Sequence, residues 1–377
     1  MGTASAPIVT TPAPEDKAKH VQVTRTYLPP LEDVEAQLRG VWERRWVTNN
    51  GPLVLQMERM LGERLGTASP WVFGNATLAL QVAFKALKLA GEVITTPFSY
   101  VATTSALVWE GCTPVHVDID PHTFNIDPGA IRAAIGPRTE AILATHVYGN
   151  ACDVQAIERI AQEKGLAVIY DAAHAFGSTY GGRSLIDHGD VSICSFHATK
   201  LYHSIEGGGL WCRDAAVRER SRLMRNFGHD GPERFNGVGI NAKLSEMHAA
   251  VGIVMLGHMD RILARRAEQW DRYAAGLAGR VQLLRIAEGT DHYNRSYFPA
   301  VFADEATLVR VDQALQAHGI FARRYFHPAL NELPYVERRS DTPVCASISC
   351  RVLCLPLFHD LEPGTQDLTM ETILANL

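Results

Sequence analysis

The chain has little that would commit it to nucleic acid, a bilayer or an oxidising compartment. No stretch of about 18 apolar residues occurs, so no helical membrane span is expected. No basic tract of about five residues or more occurs either. Its 36 basic and 41 acidic residues are interspersed for a net charge of -5, which leaves nucleic-acid binding without support. The N-terminus lacks a charged stretch followed by an apolar core, and Ala6 stands where a myristoylation signal needs Ser or Thr. The seven cysteines are odd in number, irregularly spaced and without a C-x-x-C pair. That pattern fits reduced thiols in a cytoplasmic protein better than a disulfide framework or a zinc site. No H-E-x-x-H, G-x-S-x-G or G-x-x-x-x-G-K-[ST] motif is present, which speaks against a zinc hydrolase, a serine esterase and P-loop chemistry. The scattered histidines, His197, His203 and His229 among them, read as surface or supporting groups. Asn75-Ala76-Thr77 and Asn294-Arg295-Ser296 match glycosylation acceptors, which without a signal peptide are read as coincidence.

What is present is alternation. Residues 1–30, rich in Pro, Thr, Ala and charge, read as a flexible arm. Helical periodicity over 31–65 is broken at Asn49-Asn50-Gly51-Pro52, a strong turn signal. An Ala- and Leu-rich helix follows from Thr77 to Leu89. Strands at 93–95, 115–118, 141–144 and 167–170 then take turns with helices at 101–109, 128–135 and 154–164. Short apolar strands alternating with helices predict an α/β fold with a mostly parallel sheet covered on both faces. Helices are expected to dominate 215–277. A smaller α+β domain is expected over 278–377, beyond a large domain at 31–277, with a strand at 297–301 and a helix at 308–318.

Lys200 closes the run Ser195-Phe196-His197-Ala198-Thr199-Lys200, and Glu206-Gly207-Gly208-Gly209 follows. A nucleophilic lysine needs a rigid, partly dry setting so that its amine loses its proton near neutrality. Upstream, the apolar run Val168-Ile169-Tyr170 ends in Asp171, where ligands of α/β sheets gather. Asp171 alone reads as well as a helix N-cap. Together with Lys200 it suggests pyridoxal 5'-phosphate (PLP), whose aldehyde takes a lysine and whose ring nitrogen takes a carboxylate. Phe73-Gly74-Asn75-Ala76-Thr77 before a helix would make an anion site, or an ordinary cap. Ser195 would add a hydroxyl, and Tyr100 would stack on a flat ring or fill core.

These segments resemble the nucleotide-sugar aminotransferases of the DegT/StrS type, within the fold type I PLP enzymes. The resemblance runs from about Trp46 to Leu357. It rests on Trp46 to Pro52, Asn75-Ala76-Thr77, Thr96 to Thr103, Val117 to Asp120, His146-Val147-Tyr148-Gly149, Asp171 to His174, Ser195 to Lys200 and Gly239 to Glu246. It implies a seven-stranded-type large-domain sheet. By the same resemblance Lys200 would hold the cofactor and shuttle the proton, and Asp171 would pair with the ring nitrogen. Tyr100 would stack on the ring, and His174 would lie beside its 3'-oxygen. Ala76, Thr77 and Ser195 would hold the phosphate, joined by Asn241 from a neighbouring subunit of a homodimer. Three segments depart from the family's usual residues. Asn75-Ala76 stands where Ser-Gly is usual, His174 stands where Gln is common, and Gly-x-Asn is followed by Ala242-Lys243-Leu244 where Arg-Met is commoner.

The subgroup most resembled aminates carbon 4 of dTDP-4-keto-6-deoxy-D-glucose with L-glutamate as donor. Amination at carbon 3 would use the same machinery. A dehydratase of this lineage would carry histidine in place of Lys200. A regulator without turnover would have no need to keep Lys200, Asp171 and a phosphate turn.

Overall fold

The computed structural model describes residues 20–337 and 340–377. Two helices open the body, α1 (Leu31–Arg44) and α2 (Pro52–Leu65), on either side of the expected turn. Asn49 and Asn50 both have positive φ, a conformation asparagine tolerates, and Pro52 takes the first helical position. Gly51 gives α2 no side-chain cap. The orphan N–H groups of Leu53 and Val54 are instead taken by the buried Glu246 carboxylate at 3.0 and 2.9 Å.

Seven strands form the main sheet: β1 (Trp71–Phe73), β2 (Glu92–Thr95), β3 (Thr113–His116), β4 (Thr139–Thr145), β5 (Ala167–Asp171), β6 (Val191–Ser195) and β7 (Gly208–Cys212). Their spatial order is β1-β7-β6-β5-β4-β2-β3, and only β7 runs against its neighbours. The connecting helices are α3 (Ala76–Ala86), α4 (Val101–Trp109), α5 (Pro128–Ala134) and α6 (Val154–Lys164). Beyond β7 come α7 (Ala215–Met224), α8 (Glu246–Leu256) and α9 (Met259–Leu277).

Alternate strand residues feed two separate cores, as the period-two geometry of a strand demands. Val72, Ile142, Val168 and Tyr170 pack with α1, α2, α6 and α8. Phe73, Leu143, Ile169 and Ile193 pack with α3, α4 and α7. Each fully buried side chain of this kind contributes about 1.5–3 kcal/mol. The carboxyl ends of β5 and β6 leave Asp171 and Ser195 at one edge, beside the start of α3.

A second, antiparallel sheet joins β8 (Gln282–Leu283), β9 (Phe298–Val301) and β10 (Val352–Leu355) in that order. It packs against α10 (Glu305–Ala317), α12 (Pro363–Ala375) and the end of α9 through Tyr273, Leu277, Leu308, Leu353 and Ile373. α11 (Pro343–Arg351) precedes β10.

The expected flexible arm needs correction over residues 20–30. Val21–Gln22 pairs in parallel with Ile320–Phe321, and Val23 and Tyr27 are buried. Residues 1–19 of that arm lie outside the described residues. The expected helical stretch at 215–277 is also interrupted. Between α7 and α8 the chain is irregular, with Gly228, Gly231 and Gly237 at positive φ and Pro232 beside them.

Candidate active site

Asp171 ends β5 with its carboxylate fixed at both oxygens. Oδ1 accepts from the Ala173 N–H at 3.1 Å, and Oδ2 accepts from Thr103 Oγ1 at 2.6 Å. Behind Thr103 stand Ser99, 2.7 Å away, and Thr145, which donates to Ser99 at 3.1 Å. Thr103 gives its single proton to Asp171, so it must accept from Ser99, and Ser99 in turn accepts from Thr145. The three buried hydroxyls thus point one way, toward the carboxylate. Burial pushes the Asp171 carboxyl above its ordinary range, against the pull of Thr103, Ala173 and Lys200. Asp171 does not cap a helix, because the chain turns after it.

Lys200 follows β6 in a tight turn, with its N–H on the His197 carbonyl at 2.9 Å. Its Nζ sits 6.0 Å from the centroid of the Tyr297 ring. Burial lowers its pKa, and Asp171 opposes the shift. The amine is therefore released from its proton more readily than a surface lysine's. His174 is also buried, stacked parallel to Phe326 at 5.9 Å and edge-on to Tyr297 at 4.9 Å. Desolvation first, and Lys200 second, hold its pKa well below the usual histidine value, so it is neutral. Its backbone carbonyl accepts from Asn294 Nδ2 and Ser296 Oγ, both at 2.7 Å. The Asn294-Arg295-Ser296 triplet, read as a chance acceptor, is buried at Asn294 and Ser296 and fixes this turn. Gly149 is needed beside it, because a Cβ there would come within 2.6 Å of the His174 carbonyl, at a φ of +83°.

At the start of α3, Asn75 Oδ1 caps the Leu78 N–H at 2.9 Å. Asn75 is thus the cap, and Ala76 and Thr77 lead the helix at its positive end. β7 passes so close that a Cβ on Gly208 would lie 2.6 Å from the Ala76 nitrogen. Gly208 and Gly209 therefore belong to a strand that must approach the helix, and not to a turn alone.

Asp171, Lys200, His174 and the start of α3 line one cavity of about 450 Å³. It gathers Ala76, Thr77, Tyr100, Asp171, His174, Ser195 and Lys200, the predicted site residues except Asn241. Glu206, Arg323, Tyr325 and Phe326 complete its wall. Tyr100 is exposed and so free to meet a flat ligand. Asn241 is exposed too, outside this cavity, its Oδ1 accepting from Lys243 Nζ at 2.8 Å. Sequence reading missed Thr103 as the carboxylate's partner, although it named the segment that holds it. It also missed Arg323, Tyr325 and Phe326, which follow a short strand with no motif of their own.

The residues fit PLP. A helix start for a phosphate, an acid for a ring nitrogen, an exposed tyrosine and a half-buried amine face one space. His174 Nδ1 is buried in its wall without a partner among the described residues. The fold and this constellation define a PLP-dependent aminotransferase. The chain belongs to the DegT/DnrJ/EryC1/StrS aminotransferase family, which it matches over residues 31–374. It is 41% identical over 361 residues to a dTDP-4-amino-4,6-dideoxy-D-glucose transaminase of Shigella dysenteriae, covering 94% of this chain and 98% of the relative. A transaminase of the same description from Escherichia coli is 37% identical, over 91% and 95% of the two chains. Among solved structures, DesI with its TDP-sugar product superposes with a TM-score of 0.88 at 33% identity, over 95% of this chain and 93% of that one.

Proposed function

We propose that the enzyme transfers the amino group of L-glutamate to carbon 4 of dTDP-4-keto-6-deoxy-D-glucose, giving dTDP-4-amino-4,6-dideoxy-D-glucose for deoxyaminosugar biosynthesis. The observation that carries the reading is the convergence of Lys200, Asp171 and the α3 start on one cavity, in a chain similar along most of its length to two transaminases of that description. PLP, when bound, supplies the electron sink that spreads the charge left after a proton departs.

The protein's part is placement and proton transfer. Lys200 is the group assigned to hold the cofactor and then to carry the proton between substrate carbon and cofactor, since burial lowers the pKa of its amine and the residue lines the cavity. Asp171, held by Thr103 and Ala173, is assigned to the ring nitrogen, where a protonated nitrogen would favour its charged form against the burial that raises its pKa. The N–H groups of Ala76 and Thr77, with Ser195, are assigned to the phosphate. Tyr100 is assigned to the ring face and neutral His174 to the 3'-oxygen.

Asn241, exposed and outside its own chain's cavity, is assigned to the phosphate of a second copy in a homodimer. The exposed apolar residues near it, Phe227, Phe235, Val238 and Ile240, support a partner at this surface. A cytoplasmic location fits seven unpaired cysteines, and among the described residues no helix is long and apolar enough to cross a membrane. The test is incubation with a panel of ketosugar nucleotides and glutamate, with products resolved by mass and NMR. A 4-amino product supports the reading. A 3-amino product overturns the regiochemistry, and no amination of any sugar overturns the function.

A further inference from the structure

His203 shares the loop of Lys200 and is completely buried. Its Nδ1 accepts the N–H of Ile205 at 3.1 Å, which leaves the ring proton on Nε2. Nε2 donates to the backbone carbonyl of Tyr27 at 2.7 Å. Both ring nitrogens are thus engaged, one inside the lysine loop and one outside it. Ile205 has a φ of +68°, a conformation that a β-branched residue adopts only when its surroundings hold it there.

Tyr27 ends a segment whose other end lies on the second sheet's side of the molecule. The Val21 N–H bonds the Gly319 carbonyl at 2.9 Å, Val21–Gln22 pairs with Ile320–Phe321, and the Leu357 N–H bonds the Val23 carbonyl at 3.0 Å. Arg25 pairs with Asp360 at 3.1 Å. Ile320–Phe321 leads directly into Arg323, Tyr325 and Phe326, one wall of the cavity, while Lys200, Glu206 and Gly207 belong to the other. One stretch of chain therefore grips both walls.

We propose that His203 is a positioning residue, and that Val21–Tyr27 is a strap setting the separation between the Lys200 loop and the Arg323–Phe326 wall. His203 carries no proton in the reaction. Its two hydrogen bonds transmit the strap's position to the loop, so the seat of the amino acceptor depends on a contact outside the cavity.

The experiment is amide exchange by mass spectrometry on the cofactor-loaded protein, beside kinetics with the amino acceptor. His203→Asn keeps an acceptor where Nδ1 was and loses the bond to Tyr27. His203→Gln keeps the donor to Tyr27. Val21→Pro removes the N–H given to Gly319, at the strap's far end from His203. In His203→Asn, exchange over 20–27 and 319–326 is expected to quicken about tenfold. Its kcat/KM is expected to fall about tenfold or more, as small misplacements do. His203→Gln keeps 20–27 protected. Val21→Pro quickens exchange over 200–207, which it does not touch. The proposal is overturned if Val21→Pro alters only residues at its own end, or if a folded His203→Asn keeps parental exchange and kcat/KM. It rests on Lys200 holding the cofactor. Activity surviving Lys200→Ala would sink that assignment, whereas unchanged exchange would sink only the strap.

Discussion

Thr103 Oγ1 donates to Asp171 Oδ2 across 2.6 Å, as the last of three buried hydroxyls oriented toward that carboxylate. A hydrogen bond to a charged group is worth about 1.5–3 kcal/mol. Thr103→Val should therefore raise the Asp171 pKa further and weaken cofactor binding by about tenfold or more. Thr103→Ser should keep the parent's affinity. Absorbance titration of both variants with PLP checks this, and equal affinities would remove Thr103 from the account.

Acid should destabilise the fold through buried neutral histidines. Burial pushes His116 down to about 4 and His146 down to about 3 from an ordinary 6.5. Below 6.5 the unfolded chain takes up protons that the folded imidazoles refuse, so stability falls as pH falls, until the folded values are reached. His116→Gln should flatten this loss by about 1.6 kcal/mol between pH 6.5 and 5, the slope rising from half to nearly the full value of about 1.4 kcal/mol per unit across that range. Urea midpoints at the two pH values measure it.

Arg225 and Glu58 form a buried pair at 2.5 Å beneath the edge strand β1, where Arg225 also donates to the Val72 carbonyl at 3.0 Å and Glu58 accepts the Val72 N–H at 3.1 Å. Arg225→Met strands a buried carboxylate and should cost about 3–5 kcal/mol. Removing both charges together should recover part of that loss. Denaturant melts of the single and double variants give the comparison.

Shared sites make a prediction that separate sites do not. Lys200→Ala subunits and Asn241→Ala subunits, each impaired alone, should regain activity on mixing and re-equilibration. A hybrid dimer would carry one site with both residues intact. A mixture no better than its components would place Asn241 outside the phosphate site.

The alternation of strands and helices from Glu92 to Asp171 was legible because each strand is an apolar run bounded by turn signals. The strands at Trp71–Phe73, Val191–Ser195 and Gly208–Cys212 were not. The first is three residues long. The second alternates with serines, and the third opens on two glycines that look like a turn, of which Gly208 serves close approach to Ala76. The sequence pointed to Lys200, Asp171 and the α3 start, which the fold brings to one cavity, because the chemistry proposed for them restricts the residue type. Thr103 and Asn294 were not legible, because a hydroxyl or amide becomes informative only once the fold shows which buried group it reaches. The Tyr27 carbonyl was beyond reach for a simpler reason, since a backbone acceptor has no sequence signature.

The proposed chemistry rests on a covalent bond from the Lys200 amine to the cofactor. Borohydride treatment of the PLP-loaded protein, followed by peptide mapping, tests it most directly. The account predicts a stable adduct on Lys200 alone, lost with all turnover in Lys200→Ala. An adduct on another lysine, or turnover surviving in that variant, would contradict it.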